Sequence, residues 1–263
     1  MTDSTATTQP EANYNDWSDW NAKEYNKEYY SEITLDGRFL MEWVAESVAL
    51  SPEVPLAIEF GSGPTILHML PLAPKVREIH VAEYLAPNRE EIQSWLERDP
   101  DVHDWGIFSE DFLRMEGNAD PTDADIRQRE ELLRERITKV MPGDAYHDDP
   151  VGEAGRARYP LVLSLCCADS ATDNKDTWRL FMKNIASLIA PGGMWVISAC
   201  GEHSFYKVGD RVFPGASISG KDMLSCLLEL GFRDVDVRMR EVPDSSEQGF
   251  GCTILARAIK PKS

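Results

Sequence analysis

The sequence predicts an α/β fold in which a mostly parallel sheet is covered by helices on both faces. From residue 36 onward, short apolar runs typical of buried strands alternate with stretches whose apolar residues recur at helical spacing. Parallel strands need crossover connections, and helices in those connections cover the sheet. No repeat or interior linker divides the chain. We therefore predict a single domain over residues 13–263 behind a disordered tail over 1–12.

The predicted elements follow one another in a regular order. Strands are predicted at 56–60, 78–84, 159–168, 194–199, 233–239 and 252–258, with 107–109 as a candidate short strand. Helices are predicted at 36–49, 88–98, 122–141, 177–189 and 219–232, and a further helix opens in 65–72. The two tryptophans and four tyrosines of 13–33 fit either a lid over a pocket or the ordinary packing of an N-terminal helix.

The composition is strongly acidic, with 45 acidic against 27 basic residues and a net charge of -18. Such a surface repels phosphates and anionic lipid headgroups, so we expect no nucleic-acid or membrane partner. It suits a small neutral or cationic partner. Five cysteines without a CxxC pair indicate a reduced, cytoplasmic chain. The N-terminus lacks the features of a signal peptide, and no apolar run approaches the ~20 residues of a membrane span.

The strongest local motif is the segment Glu59-Phe60-Gly61-Ser62-Gly63-Pro64-Thr65, which follows a predicted buried strand. Glycines at this position let the backbone approach a ligand closely, and a helix starting here offers free N–H groups. A dinucleotide fingerprint would need a third glycine where Ile66 stands, which disfavours NAD and FAD. Glu83 lies at the carboxyl end of the next predicted strand, about 20 residues later, where an acid accepts hydrogen bonds from ribose hydroxyls.

Three other features receive structural interpretations. Pro191-Gly192-Gly193 is predicted to stop a helix and turn the chain into the next strand. Cys166 and Cys167 are placed inside a buried strand, where cysteine is an inert small hydrophobe. His147-Asp148-Asp149 is interpreted as a solvated loop, and we expect no metal site.

Motifs spread over the chain resemble those of one enzyme family. They are Tyr25-x-x-x-Tyr29-Tyr30, Gly61-Ser62-Gly63-Pro64-Thr65, Glu83-Tyr84 with Asn88, Asp104-Trp105, Glu116-Gly117-Asn118, Asp144, Pro150-x-Gly152, 163–171, Pro191-Gly192-Gly193 and Tyr206-x-x-Gly209. The chain resembles the nicotinamide, phenylethanolamine and thioether/indolethylamine N-methyltransferases from residue 25 to its end. Within that family it resembles the bacterial branch of specialised metabolism, including guanitoxin-type N-methyltransferases.

The resemblance implies a Rossmann-like class I methyltransferase with a seven-stranded sheet, lid helices over 13–50 and S-adenosylmethionine as cofactor. Tyr25 and Tyr30 would hold the carboxylate end of the cofactor from the lid, Glu83 and Asn88 its ribose, and Asp144 its adenine. The full implied cofactor set is Tyr25, Tyr30, Gly61, Ser62, Gly63, Thr65, Glu83, Tyr84, Asn88, Asp144, Ala145, Leu165 and Cys166.

The implied acceptor site has departures from the family pattern. Tyr29, Asp169, His203 and Tyr206 would face the acceptor, Glu247 is a weaker candidate, and Glu202, His203 and Tyr206 are the candidate catalytic residues. A surface loop is an alternative place for His203. Ala199 stands where nicotinamide methyltransferases carry an aspartate, which disfavours nicotinamide. Glu202 next to His203 takes the place of an acid that phenylethanolamine enzymes place near the amine.

These observations predict methylation of a nitrogen in a small, cationic amine by direct in-line transfer. A positioned lone pair ~3 Å from the methyl carbon suffices for that reaction, and Glu202 or His203 could accept the amine proton. Methylation of oxygen, sulfur or carbon, and a non-catalytic protein that binds S-adenosylmethionine, remain alternatives. The sequence leaves the oligomeric state open, with a monomer as our expectation.

Overall fold

The computed structural model describes residues 16–18, 20–201, 205–242 and 251–262, which form one central sheet flanked by helices. The predicted tail over 1–12 and the candidate residues Glu202, His203 and Glu247 lie outside these ranges.

Seven strands form the central sheet. They are β1 (Val54–Phe60), β2 (Val76–Glu83), β3 (Ile137–Pro142), β4 (Tyr159–Leu165), β5 (Ile189–Gly201), β8 (Arg233–Glu241) and β9 (Cys252–Ile259). Their spatial order is β3-β2-β1-β4-β5-β9-β8. The pairs among the first five are parallel, and β9 pairs antiparallel with both β5 and β8. A separate hairpin joins β6 (Phe205–Val208) to β7 (Arg211–Pro214). The predicted mostly parallel, seven-stranded α/β sheet is confirmed.

Seven α-helices complete the described part of the chain. They are α1 (Ala22–Tyr29), α2 (Leu35–Leu50), α3 (Ala86–Leu96), α4 (Gly106–Met115), α5 (Asp123–Arg136), α6 (Lys175–Ala186) and α7 (Gly220–Glu229). Within the described ranges, every helix is too short or too polar to span a bilayer.

Side chains alternate across the sheet and build one core on each face. Ala57 of β1 and Leu163 of β4 pack with α2, α3, α4 and α5, whereas Ile58 and Val162 pack with α6 and α7. Because both faces are covered, the central strands are apolar throughout, as expected for parallel sheets.

Three element predictions are wrong. No α-helix opens at 65–72, where only a 3₁₀ turn, Leu67–Met69, forms, because Pro71 lacks a donor and its ring would clash with the Leu67 carbonyl in an α-helix. Residues 107–109 belong to α4, since Phe108 and Phe112 share one buried helix face. The helix predicted at 122–141 ends at Arg136, and 137–142 form β3.

The ends of two central strands also differ from prediction. β4 stops at Leu165, because Cys166 adopts a left-handed φ of 47°, so Cys166 and Cys167 lie in the turn after the strand. Pro191-Gly192-Gly193 lies within β5 as a bulge rather than between a helix and a strand. The Gly192 N–H donates to the Lys260 carbonyl over 2.8 Å, which ties this bulge to the end of β9.

His80 of β2 makes folding stability dependent on pH. The ring is buried, with Nδ1 2.9 Å from the Tyr159 hydroxyl and Nε2 2.8 Å from Glu78 Oε1. Burial lowers the pKa of His80 below its ordinary value, although Glu78 opposes the shift. The unfolded chain therefore binds this proton more readily, and its contribution to stability is lost as the pH falls from about 6.5 through the folded-state pKa. As the pH falls over this range, we expect the urea concentration at the unfolding midpoint to decrease less for His80→Gln than for wild type. The same decrease in both proteins would contradict the role of His80 in this pH dependence.

Candidate active site

A cavity of about 250 Å³ opens where the carboxyl ends of β1, β2 and β4 meet the lid helix α1. Phe60, Glu83 and Leu165, the last residues of these strands, line its floor. The order of the strands reverses between β1 and β4, and ligands of open α/β sheets bind in the crevice at such a switch point. The position therefore predicts a small-molecule site.

The glycine turn after β1 brings bare backbone to the cavity wall. Gly61 and Gly63 adopt left-handed φ values of 74° and 61°, which only glycine tolerates readily. A Cβ on Gly61 would lie 2.1 Å from Cys167 Sγ. The turn is also held from within, because the Thr65 hydroxyl donates to the Ser62 carbonyl over 2.9 Å.

Glu83 holds the glycine turn against β2. Its Oε2 accepts from the Gly63 N–H over 2.9 Å, and Oε1 accepts from the Leu85 N–H over 2.8 Å and from Asn88 Nδ2 over 3.1 Å. Burial raises the pKa of Glu83 above its ordinary value, whereas these hydrogen bonds and Arg89 oppose the rise. The carboxylate is therefore a buried acceptor that lines the cavity beside three donors.

Aromatic rings of the lid form a continuous cluster over the cavity. Tyr25 lies 5.1 Å from Trp20, 4.8 Å from Tyr29 and 5.8 Å from Tyr30, measured between ring centroids. Tyr30 continues the cluster to Phe108 of α4 over 5.9 Å. Such contacts contribute about 0.5–1.5 kcal/mol per pair beyond the area they bury. The structure thus supports the lid interpretation of these aromatic residues.

Hydrogen bonds join the lid segment both to helix α3 and to the β6–β7 hairpin. Trp20 Nε1 donates to Asn88 Oδ1 over 2.6 Å. The Tyr29 hydroxyl donates to the Lys207 carbonyl of β6, and the Gly209 N–H donates to Glu28 Oε2 over 2.6 Å. The hairpin and lid therefore close the same side of the cavity, and the sequence prediction contained neither the hairpin nor this contact.

Burial favours the protonated form of three tyrosine hydroxyls and two thiols at the cavity. Burial raises the pKa values of Tyr25, Tyr29 and Tyr30 well above their ordinary range. Burial also raises the pKa of Cys167, and a hydrogen bond with Cys166 together with burial raises that of Cys200. These tyrosines therefore act as hydrogen-bond partners rather than bases, and Cys167 and Cys200 are not thiolates.

The cavity brings most of the predicted site residues together. The predicted residues that line it are Tyr25, Tyr29, Tyr30, Gly61, Ser62, Gly63, Glu83, Tyr84, Asn88, Ala145, Leu165, Cys166 and Tyr206. Of the predicted residues that the structure describes, three do not line it. Thr65 bonds within the glycine turn, Asp144 Oδ1 accepts from the Tyr146 N–H, and the buried Asp169 accepts from the Cys200 N–H.

The cavity also includes residues that were not among the predicted cofactor-binding, substrate-binding or catalytic residues. They are chiefly Trp17, Trp20, Asp36, His68, Phe108 and Cys200. Asp36 belongs to the first turn of α2, and His68 to the 3₁₀ turn after the glycines. His68 was not predicted as a site residue because the segment 65–72 was interpreted as a helix. Asp36 was not predicted because nothing in its neighbouring sequence indicates a binding site.

The strand order, the glycine turn and the cavity define a Rossmann-like methyltransferase fold. The chain belongs to the NNMT/PNMT/TEMT family, whose model matches residues 10–252.

Its relatives include human nicotinamide N-methyltransferase, 29% identical over 177 residues, which are 67% of this chain and 66% of that protein. Rat phenylethanolamine N-methyltransferase is 27% identical over 188 residues, or 71% of this chain and 65% of the relative. Rabbit indolethylamine N-methyltransferase is 29% identical over 175 residues, or 66% and 65% of the two chains. The matches thus span just under two thirds of the relatives' own lengths.

Solved structures share the fold at low sequence identity. One is a Burkholderia thailandensis 1,6-didemethyltoxoflavin-N1-methyltransferase with bound S-adenosylhomocysteine, at a TM-score of 0.55, 17% identity and coverage of 93% and 86% of the two chains. Another is the N-methyltransferase NodS of Bradyrhizobium japonicum, also in complex with S-adenosylhomocysteine. Its TM-score is 0.54 at 13% sequence identity, and the match covers 91% of this chain and 99% of that chain.

Proposed function

We propose that this protein is an S-adenosylmethionine-dependent methyltransferase that methylates a nitrogen of a small, cationic amine. One observation carries the proposal beyond family membership. Four carboxylates, those of Glu28, Glu32, Asp36 and Glu83, line the cavity together with many aromatic rings, while its described lining contains no lysine or arginine. Such a wall attracts cations by charge and by cation–π contact.

The residues present fit the proposed cofactor. The buried Glu83 carboxylate would accept hydrogen bonds from the ribose hydroxyls, and the Asn88 amide beside it would donate one to the ribose. Gly143 and Ala145, which follow β3, would border the adenine. Gly61 and Gly63 would border the amino-acid part with their backbone, and Tyr25 and Tyr30 line the same cavity from the lid. When bound, the cofactor supplies an electrophilic methyl group on a sulfonium.

The acceptor would lie between the lid, α2 and the end of β5. Tyr29, Tyr206 and Cys200 line this part of the cavity. Burial raises the pKa of Tyr30, and the Asp36 carboxylate adds to the rise, so Asp36 acts electrostatically on the same space. An ammonium group entering this space would exchange water for the Asp36 carboxylate and the aromatic faces.

The chain's own residues would perform binding, orientation and proton removal. The lid excludes water, and aromatic walls fix the acceptor so that its lone pair can point at the methyl group. The carboxylates bind the protonated amine, so its proton must leave before transfer. Glu202 and His203, which follow Gly201 in the sequence, are proposed for that step, and Glu202→Gln and His203→Ala should each slow turnover. Unchanged turnover in both variants would remove these roles.

Further assignments complete the proposal. We place the protein in the cytoplasm as a monomer without nucleic-acid or membrane partners, on the acidic composition and the absence of a CxxC pair. We also propose the bacterial branch of specialised metabolism, including guanitoxin-type N-methyltransferases, on the sequence resemblance.

A thermal-unfolding series tests the cofactor assignment. Wild-type protein is heated alone and with S-adenosylmethionine, S-adenosylhomocysteine or NAD. A ligand at 100 times its dissociation constant adds ~2.7 kcal/mol of stability. We expect both adenosyl ligands, and not NAD, to raise the midpoint. No shift with either adenosyl ligand would overturn the assignment.

Asp36→Asn is expected to discriminate against cationic acceptors. Removing this half-buried charge should raise KM for amines about three- to tenfold, because a hydrogen bond to a charged group is partly lost, and should leave neutral acceptors unchanged. Product analysis over a panel of amines, alcohols and thioethers provides the measurement. Glu42→Gln, an exposed acid of the same helix outside the cavity, is the control. Methylation of oxygen or sulfur alone would contradict the amine assignment.

A further inference from the structure

His68 and Glu59 form a buried pair at the glycine turn. His68 lines the cavity from the 3₁₀ turn, and Glu59 lies in β1 two residues before Gly61. The exposed fractions of the two residues are 4% and 1%, and His68 Nδ1 lies 3.0 Å from Glu59 Oε1. The pair is therefore ordered by a direct hydrogen bond and lies next to the proposed cofactor space.

The outer atoms of this pair are unsatisfied. His68 Nε2 and Glu59 Oε2 are both buried, and neither has a hydrogen-bond partner among the described residues. Nearly all buried polar groups in proteins are paired, because an unpaired one costs free energy comparable to a lost hydrogen bond. Two such atoms in one contact indicate that a group from outside the chain belongs there.

The hydrogen-bond network assigns the kind of group that is missing. A carboxylate accepts, so the hydrogen of this contact is assigned to His68 Nδ1, and in that tautomer of the imidazole Nε2 is an acceptor. Both unsatisfied atoms then require a donor. Neither atom has a partner among the described residues, and no lysine or arginine lines the cavity there, so the donor is a bound ligand or a water.

We propose that His68, oriented by Glu59, binds the α-ammonium group of the S-adenosylmethionine amino-acid part. This inference rests on the cofactor assignment and not on the identity of the methyl acceptor. The ammonium is the cofactor's cationic donor of several N–H bonds. In the cofactor position proposed above, its amino-acid part lies at the turn of Gly61 and Gly63, and His68 lines the same cavity. The ribose-binding Glu83 lies on β2 and makes no bond to His68.

Binding measurements with three ligands separate a ligand contact from a structural role. S-adenosylmethionine carries both the ammonium and the carboxylate, decarboxylated S-adenosylmethionine keeps only the ammonium, and 5′-methylthioadenosine has neither. For His68→Leu we expect the first two to bind about tenfold or more weakly and the third to bind as to wild type. His68→Gln, which keeps an acceptor oxygen, should retain most of the affinity.

Control variants keep the test decisive. His80→Gln alters a buried histidine outside the cavity and should change stability without changing the affinity for any of the three ligands. Where His68→Leu does not fold, His68→Met replaces it. Unchanged affinity of the folded variant for S-adenosylmethionine would overturn the proposal, since a water would then fill the site.

Two other outcomes also overturn it. An equal loss for 5′-methylthioadenosine would mean that His68 only supports the fold, and a loss confined to S-adenosylmethionine would assign the contact to the carboxylate. Failure of the wild type to bind any adenosyl ligand is a separate result, which would overturn the cofactor assignment itself.

Discussion

Glu83→Ala should weaken S-adenosylmethionine binding by at least about 100-fold, because it removes a charged acceptor and leaves three donors without their partner. The Gly63 N–H, the Leu85 N–H and Asn88 Nδ2 all donate to this carboxylate. Without it, the glycine turn loses its link to β2, and the ribose hydroxyls lose their acceptor. Isothermal titration with S-adenosylmethionine and S-adenosylhomocysteine would measure the loss for both ligands.

A matched acid distinguishes this effect from general damage. Glu91 of α3 is also buried but does not line the cavity, so Glu91→Gln should retain wild-type affinity within about twofold. Glu83→Gln should bind more weakly than wild type, since its amide presents a donor to groups that already donate. Wild-type affinity in folded Glu83→Ala would contradict the ribose assignment.

Much of the fold could be predicted from the sequence because local signals and global packing agree in the central strands. The apolar run at 56–60 is buried on both faces and became β1, and the glycine pair directly after it marked the cavity. Glu83 was found by the same reasoning, since the last residue of the neighbouring parallel strand lies at the same sheet edge. The apolar pattern of a strand and the position of a residue at its carboxyl end are enough to predict such site residues.

The rest of the site depends on contacts that no local pattern reveals. The β6–β7 hairpin consists of two four-residue strands, too short for a clear alternation. Its position depends on the hydrogen bond that Tyr29 donates to Lys207 and the one that Glu28 accepts from Gly209. Asp36 is unremarkable in an amphipathic helix until the fold brings the start of α2 to the cavity. His68 was not predicted as a site residue because the apparent helix at 65–72 is a 3₁₀ turn, which Pro71 prevents from continuing as an α-helix.

Gly61→Ala should destabilise the protein by roughly 2–6 kcal/mol, the sum of backbone strain and overpacking. The alanine would hold a φ of 74°, and its Cβ would lie 2.1 Å from Cys167 Sγ and 2.7 Å from Cys167 Cβ. The turn and the end of β4 must then separate, which widens the floor of the cavity. Urea unfolding and titration with S-adenosylhomocysteine should show the loss of stability and of affinity together.

Gly231→Ala separates the two components. Gly231 has a similar left-handed φ of 84°, but nothing lies within 4 Å of its added Cβ, so this variant carries backbone strain alone. It should lose about 1–2 kcal/mol and keep full affinity, because it lies at the end of α7 outside the cavity. The excess loss in Gly61→Ala then measures the clash with Cys167. Equal losses in the two variants would mean that close packing of the turn against Cys167 does not shape the cavity.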